Sequence, residues 1–279
     1  MFKILDKKQL NETTFSLTVY APMVAQNILP GQFVMIMTDE DSERIPLTIS
    51  DFDKEKGSVT VVFQAIGAST IKLSSKNTGD EIAHFAGPLG KPTELDGIKK
   101  AWVIGGGVGC AIALPQAKWL KNHGADVDII AGFRNKDIVI LEEEMVNAGT
   151  SCTICTDDGS YGVKGFVTGV LKEYIESGKE YDCVIAIGPV PMMKAVSDIT
   201  KGYGIKTIVS LNPIMIDGTG MCGGCRVNVN GKVKFACVDG PDFDAHKVDF
   251  KELMIRNSMY KKQETEAKEH MCRIFGGEK

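Results

Sequence analysis

Apolar and polar residues change their rhythm twice along this chain. Up to about residue 98 the pattern is short and alternating. In Phe15-Ser16-Leu17-Thr18-Val19 every second residue is apolar, the signature of a strand with one buried face. Further strands are predicted over 32–37 (QFVMIM) and 58–63 (SVTVVF), punctuated by the turn signals Pro30-Gly31 and Lys56-Gly57. Short strands at this spacing predict a small antiparallel barrel. From Lys99 continuous apolar runs take over: 101–104, 126–130, 151–155, 183–187 and 206–210, separated by helix-length segments. That alternation predicts a parallel sheet with helices on both faces, of a size suited to one nucleotide-binding domain. From about 212 the chain turns glycine- and cysteine-rich. A hairpin is expected over 226–235 around Asn230-Gly231, and Asp249 is expected to cap a helix starting FKELMIRNSMY. The expected division is therefore 1–98, 99–211 and 212–279.

Composition narrows the function classes. With 279 residues, 43% hydrophobic and 24% charged, the chain is of ordinary globular make-up. A formal net charge of -4 gives no basic footprint for nucleic acid. No apolar run approaches the roughly 18 residues of a membrane span. The start, MFKILDKKQLNETTF, has no apolar core followed by a cleavage site, so a cytoplasmic location is expected. In that compartment eight cysteines are better read as free or ligating than as disulfides.

Three tracts could hold phosphates. GGGVGCAIALP (105–115) follows a predicted strand and opens a predicted helix. Gly105, Gly106, Gly107 and Gly109 would let backbone N–H groups approach a pyrophosphate at the helix N-terminus. The strict G-x-G-x-x-G form fails at Cys110, so a tight turn without ligand stays open, and Pro115 predicts a boundary or kink. Gly188, Pro189 and Met192 sit at the end of a second strand of the same sheet, the edge where open α/β sheets bind ligands. In the barrel half, ERIPLTIS (43–50) offers Arg44 for a phosphate and the Thr48 hydroxyl beside Leu47. By residue type alone a solvent-facing arginine explains Arg44 as well. Arg134, after the second strand of the sheet, could accommodate a 2′-phosphate, so NADPH and NADH both stay open.

The densest chemistry is DGTGMCGGC (217–225), followed by Cys237. The spacing Asp217-x4-Cys222-x2-Cys225-x11-Cys237 has the x4, x2 opening of a plant-type [2Fe–2S] loop, with glycines that bare N–H groups toward sulfides. Zinc is the main alternative, although its knuckles come as two C-x-x-C-like pairs and here there is one. Cys152 and Cys155 lie three apart in a predicted strand, on opposite faces, and are expected in the core with Cys110 and Cys183. The run 142–144 (EEE) is expected on a solvated helix face.

Together these tracts resemble the ferredoxin-reductase-like electron-transfer flavoproteins. The resemblance is strongest to the group of dihydroorotate dehydrogenase electron-transfer subunits and of the small subunits of NADH-dependent ferredoxin:NADP oxidoreductase. It extends to about residue 255. It implies a barrel for FAD, contacted by Arg44, Pro46, Leu47 and Thr48, with Ile45 where the group has a second arginine. It implies FAD-phosphate contacts at Gly67, Ser69 and Thr70 and at Gly87 of GPLG (87–90). NAD(H) would take Gly105 to Gly109 and Gly188, Pro189 and Met192. Asp217, where the dihydroorotate subunit has cysteine, resembles the bifurcating group, as do 156–165 and 237–250. Asp217, Cys222, Cys225 and Cys237 are then the cluster ligands, and Thr48 is expected to hydrogen-bond near flavin N5.

The implied partner is a larger flavoprotein with a second FAD and [4Fe–4S] clusters, through which ferredoxin is reached. Leu253, Met254 and Ile255 are candidate docking residues, or else a helix stripe packed on its own domain. A dihydroorotate or sulfide-dehydrogenase-like assembly is the nearest alternative function. A zinc-stabilised nucleotide-binding module is the alternative of another class.

Overall fold

The computed structural model describes residues 1–275. The first seven strands are β1 (Phe2–Gln9), β2 (Thr14–Tyr20), β3 (Phe33–Met37), β4 (Ile45–Asp53), β5 (Ser58–Gln64), β6 (Glu81–Ile82) and β7 (His84–Leu89). They pair antiparallel in the order β6-β1-β2-β5-β4-β3-β7. Because β6 and β7 are separated only by Ala83, the two ends of the sheet are one stretch of chain, and the barrel is nearly closed. Inside it, Leu17, Val19, Val34, Ile36, Ile49, Val61 and Phe63 form a single apolar core. Two short helices, α1 (Pro22–Asn27) and α2 (Ala68–Ser74), interrupt the strand rhythm.

The second sheet carries β8 (Lys100–Gly106), β9 (Asp126–Phe133), β10 (Ser151–Thr156), β11 (Val163–Lys164), β12 (Cys183–Ile187) and β13 (Thr207–Ser210). Between them run α3 (Gly109–Asn122), α4 (Glu142–Ala148), α5 (Val167–Glu176) and α6 (Val190–Gly202). Strand order is β11-β10-β9-β8-β12-β13, all parallel, so the chain reverses its direction of travel between β8 and β12. That point is where open α/β sheets form their ligand crevice. The central strands are covered on both faces, which is why their sequences run continuously apolar rather than alternating. Cys110 and Cys183 lie in the core packed by α3 and α4, and Cys155 in the core packed by α5 and α6.

The chain then forms the hairpin β14 (Arg226–Val229) and β15 (Lys232–Phe235). Asn230 and Gly231 take φ of 54° and 72°, the paired left-handed conformation that their types favour. A short α7 (Ala236–Asp239) leads to β16 (Asp242–Asp244), which adds an antiparallel edge to β13. Two helices finish the described chain, α8 (Phe250–Asn257) and α9 (Lys261–Phe275). Asp249 caps α8 as expected, its side chain accepting from Glu252 N at 2.9 Å. The α9 helix runs back beside α2 of the barrel.

Two expectations need correction. Pro115 neither ends nor breaks α3, which continues to Asn122. With the Gln116 amide nitrogen turned toward the helix, it donates to Ile112 O at 2.6 Å and Ala113 O at 3.3 Å, adding bonds at the turn where proline supplies none. Leu253 is buried in the nucleotide-sheet core and is not a docking residue, whereas Ile255 on the same helix is exposed. Among the described residues no helix is long and apolar enough to cross a membrane.

Candidate functional site

At the switch point the two glycine tracts touch. A Cβ on Gly106 would come within 2.4 Å of Met192 Sδ and 3.1 Å of Pro189 Cδ. A Cβ on Gly109 would meet Ile187 O at 2.2 Å and Gly188 Cα at 2.8 Å. So Gly105 to Gly109, at the end of β8, and Gly188 to Met192, at the end of β12, form the two lips of one crevice. Gly107 has φ of 56°, and a Cβ there would meet nothing within 4 Å, so its backbone faces the open side of the crevice. Its N–H donates to Gly132 O at 2.9 Å, tying the turn to the end of β9. Arg134 follows there and is exposed, while Asn135 Oδ1 is buried without a hydrogen-bond partner. An orphaned acceptor beside the crevice fits a ligand that brings hydroxyl donors.

The barrel tract lies on a neighbouring face. Phe33 pairs with Thr48, Val34 with Leu47 and Met35 with Pro46 across β3 and β4, while β7 covers the other edge of β3. A Cβ on Gly87 would come within 2.7 Å of Val34 Cγ1, so glycine is needed where GPLG crosses β3. Thr70 Oγ1 closes the turn before α2, accepting from Gly67 N at 3.1 Å. Ser69 Oγ donates to Glu43 Oε2 at 3.0 Å, which brings that turn beside the Arg44 tract. The barrel and the nucleotide sheet are joined where α3 lies along β4, with Lys118 Nζ 2.8 Å from Asp51 Oδ2.

The cysteine loop packs against the barrel. A Cβ on Gly218 (φ 85°) would come within 2.7 Å of Met35 Cγ. Cys225 and Cys237 are buried in one apolar cluster with Phe33, Met35 and Met215. Their sulfurs are 3.2 Å apart, and Cys237 N donates to Cys225 Sγ at 3.4 Å. Burial and the Cys225 contact push the Cys237 thiol up to about 12. Cys222 is exposed, and the Gly224 N–H at 3.4 Å from its sulfur holds its thiol below the usual range. Asp217 Oδ2 accepts from Thr219 N at 2.9 Å and from the Thr219 hydroxyl. These bonds lower its pKa, and the nearby Arg44 charge adds to them. Arg256 Nη2 donates to Gly224 O at 3.0 Å, so α8 braces the loop.

The two buried thiols are brought together; Cys222 and Asp217 are on the same loop but not drawn to that pair, and no group of three such side chains converges among the described residues. The donor set nonetheless fits a cluster. It offers three sulfurs and a carboxylate, and left-handed glycines at 218, 220 and 223 leave N–H groups free of side chains.

A barrel, a parallel sheet with its crevice beside that barrel, and a cysteine loop packed on the barrel wall define a ferredoxin-reductase-like electron-transfer flavoprotein. The ferredoxin reductase of carbazole 1,9a-dioxygenase shares the fold at 19% identity, with a TM-score of 0.62 over 73% of this chain and 65% of that one. Relatives define the family more closely. The iron–sulfur cluster binding domain of dihydroorotate dehydrogenase B matches residues 212–249. A Thermotoga maritima homolog of the dihydroorotate dehydrogenase B electron transfer subunit is 41% identical, covering 98% of this chain and 96% of its own length. The electron transfer subunit of Geobacillus thermodenitrificans is 35% identical over 88% of this chain and 96% of that one. A solved structure of an NADH-dependent reduced ferredoxin-NADP oxidoreductase, described for flavin-based electron bifurcation, superposes with a TM-score of 0.92 at 39% identity, covering 97% of both chains. The chain belongs to the family of dihydroorotate dehydrogenase B electron-transfer subunits. It is a flavin and iron–sulfur oxidoreductase subunit, and FAD, a [2Fe–2S] cluster and NAD(H) are its cofactors.

Several contributors were missed by sequence reading. Met35 and Phe33 anchor the cysteine loop, yet they read only as core residues of a strand. Asn135 looked like a plain loop residue. The strand β16 gave no signal, because three residues are too few for a period to show.

Proposed function

We propose that this chain oxidises NADH and delivers single electrons to a larger flavo-iron–sulfur subunit, in an assembly that couples NADH, NADPH and ferredoxin by electron bifurcation. The observation that carries this reading is the superposition on the bifurcating oxidoreductase, at a TM-score of 0.92 over 97% of both chains. The Asp217-x4-Cys222 opening supports it, since the dihydroorotate subunits resemble this loop with cysteine first.

In this reading Gly105 to Gly109 and Gly188 to Met192 line the crevice that takes the dinucleotide, their glycines letting it approach the backbone. Arg44 and the Gly67 to Thr70 turn take the FAD phosphates, Gly87 lets the chain pass close to β3, and Thr48 presents its hydroxyl at flavin N5. Asp217, Cys222, Cys225 and Cys237 ligate the cluster. FAD bound there would supply hydride acceptance and one-electron release, and a cluster on the cysteine loop would relay the electrons singly. Leu47 and the apolar cluster around Met35 keep water from the space between them. Arg134 lies where a 2′-phosphate would be met, so the preference for NADH rests on the family.

An anaerobic preparation from the native source tests the assembly. The reading expects co-purification with a larger subunit, flavin and [2Fe–2S] absorption, and NADPH-dependent ferredoxin reduction that requires both chains and NAD+. A lone chain that reduces ferredoxin from NADPH unaided would refute it. Co-purification with a dihydroorotate-oxidising subunit would move the chain to the other branch.

A further inference from the structure

One segment of three residues, Gly240-Pro241-Asp242, is bonded to both halves of the molecule. On the barrel side Lys91 N donates to Gly240 O at 2.6 Å, and Thr93 Oγ1 lies 2.6 Å from Asp242 Oδ2. On the sheet side Leu211 N donates to Pro241 O at 2.9 Å, and Asp242 pairs with Ser210 in the β13–β16 ladder. The junction is closely filled. A Cβ on Gly31, whose φ is 87°, would come within 2.2 Å of Thr93 Oγ1 and 3.0 Å of Asp242 Oδ2.

The side chains there are short of hydrogens. Thr93 has one hydroxyl hydrogen, but Asp242 Oδ2, Pro30 O at 3.3 Å and the Gln116 amide at 3.4 Å all surround it. With Gln116 turned to donate to Ile112 O, its amide oxygen faces Thr93, so all three are acceptors. Below about pH 6 a neutral Asp242 carboxyl eases the shortage by donating to Thr93 Oγ1, whose own hydrogen then goes to Pro30 O. Above it the carboxylate accepts from the Thr93 hydroxyl at 2.6 Å, so the contact holds in both states. Burial pushes this carboxyl up to about 6, against the Ser210 and Thr93 hydroxyls, which favour the anion.

We propose that Asp242 is a positioning residue that clasps the barrel to the nucleotide-binding sheet and thereby sets how a nicotinamide held at the crevice meets the flavin tract. It touches neither ligand. It acts through Thr93 at the foot of β3, the strand that pairs with Pro46 to Thr48, and through β13, two strands from the glycine turn. The inference rests on the proposed hydride exchange between NADH and flavin, in which small misplacements cost much rate.

The test compares Asp242→Ala, Asp242→Asn and Thr93→Val in the flavin-loaded complex by rapid mixing with NADH, and by calorimetry of each chain. Asp242→Ala is expected to lower the limiting rate of flavin reduction about tenfold or more. Half-saturation by NADH and flavin content should stay unchanged. Asp242→Asn, a neutral side chain that can still donate, should restore the rate. Thr93→Val, which keeps the shape and removes the hydroxyl, should reproduce the alanine effect. In calorimetry the unaltered chain should melt in one transition, and Asp242→Ala and Thr93→Val in two. Should Asp242→Ala not fold, Thr93→Val and Asp242→Asn decide the question by the same readouts. Unchanged limiting rates and a single transition in Thr93→Val would overturn the clasp, as would an asparagine variant as slow as the alanine one. If the unaltered protein binds flavin but is not reduced by NADH, the functional reading fails instead, and the calorimetric comparison still judges the clasp.

Discussion

Gly107 and Gly109 lie two residues apart in the same turn, and the structure separates their roles. An alanine at 109 would place its Cβ 2.2 Å from Ile187 O and 2.7 Å from the carbonyl carbon of that residue. Both belong to the backbone of β12, so no rotamer change relieves them. Reaching ordinary contact at 3.4 Å requires α3 and β12 to part by about 1.2 Å. That separation spreads through the core in which Cys110, Ala111 and Leu114 of α3 pack on the sheet. Overpacking of this kind costs about 3 kcal/mol, at the upper end of the usual range because backbone must move. At roughly 2–4 °C per kcal/mol the melting temperature should fall by about 6–12 °C. An alanine at 107 meets nothing within 4 Å and pays only for its φ of 56°, about 1–2 kcal/mol. Its methyl group would instead stand in the open crevice, where a pyrophosphate must approach the backbone. Thermal melts of the two variants without cofactor, followed by NADH titration of flavin-loaded protein, check both halves. Gly109→Ala should lose stability first, while Gly107→Ala should keep most of its stability and lose NADH affinity. If Gly109→Ala melted with the unaltered protein, the close helix–strand approach would be wrong.

Other perturbations read the remaining sites. Thr48→Ala should slow flavin reduction about tenfold, the worth of one hydrogen bond made in the transition state, with FAD still bound; stopped-flow absorbance measures it. Asp217→Ala should lose or destabilise the cluster, and Asp217→Cys should retain one with an altered EPR signal, whereas normal iron and an unaltered signal in the alanine variant would remove Asp217 from the ligand set. For Asp242 the folded carboxyl titrates near 6, above its ordinary 3.8, so the folded state holds the proton longer than the unfolded one. Its contribution is therefore most favourable at low pH and is lost as pH rises from about 4 through about 6. Asp242→Asn should remove that slope and be more stable than the unaltered chain at pH 7, by up to about 2–3 kcal/mol, in urea titrations across this range.

What could be read from sequence was what repeats or what is chemically conspicuous. The change from alternating to continuous apolar runs located both sheets because it reflects burial on one face or on two, and burial is what the chain's own pattern records. The turn at Asn230-Gly231 and the cap at Asp249 were legible because each depends on a local backbone conformation that few residue types support. The failures share a different cause. Pro115 is judged a breaker by local rules, but α3 is held by packing on the sheet, with the Gln116 amide available to its turn. Leu253 and Ile255 look alike in sequence, and only the direction of α8 across the sheet decides that one is core and the other surface.

The clasp was illegible for the same reason in stronger form. Thr93 and Asp242 are 149 residues apart, and neither belongs to a motif. Yet the segment that carries Asp242 begins at Cys237, the last of the cysteines in the glycine-rich cluster, and ends in the strand that edges the nucleotide sheet. A displacement of that sheet relative to the barrel cannot leave the segment unstrained, because its backbone is bonded to both. The α7 turn, held by Asp239 Oδ2 accepting from Phe235 N at 2.8 Å, lies next in line toward Cys237 and its 3.2 Å contact with Cys225. The cysteine loop is thus fixed to the barrel directly, through Gly218 against Met35, and to the nucleotide sheet through β16. A short edge strand and close glycine contacts are what such a bridge between barrel and sheet requires.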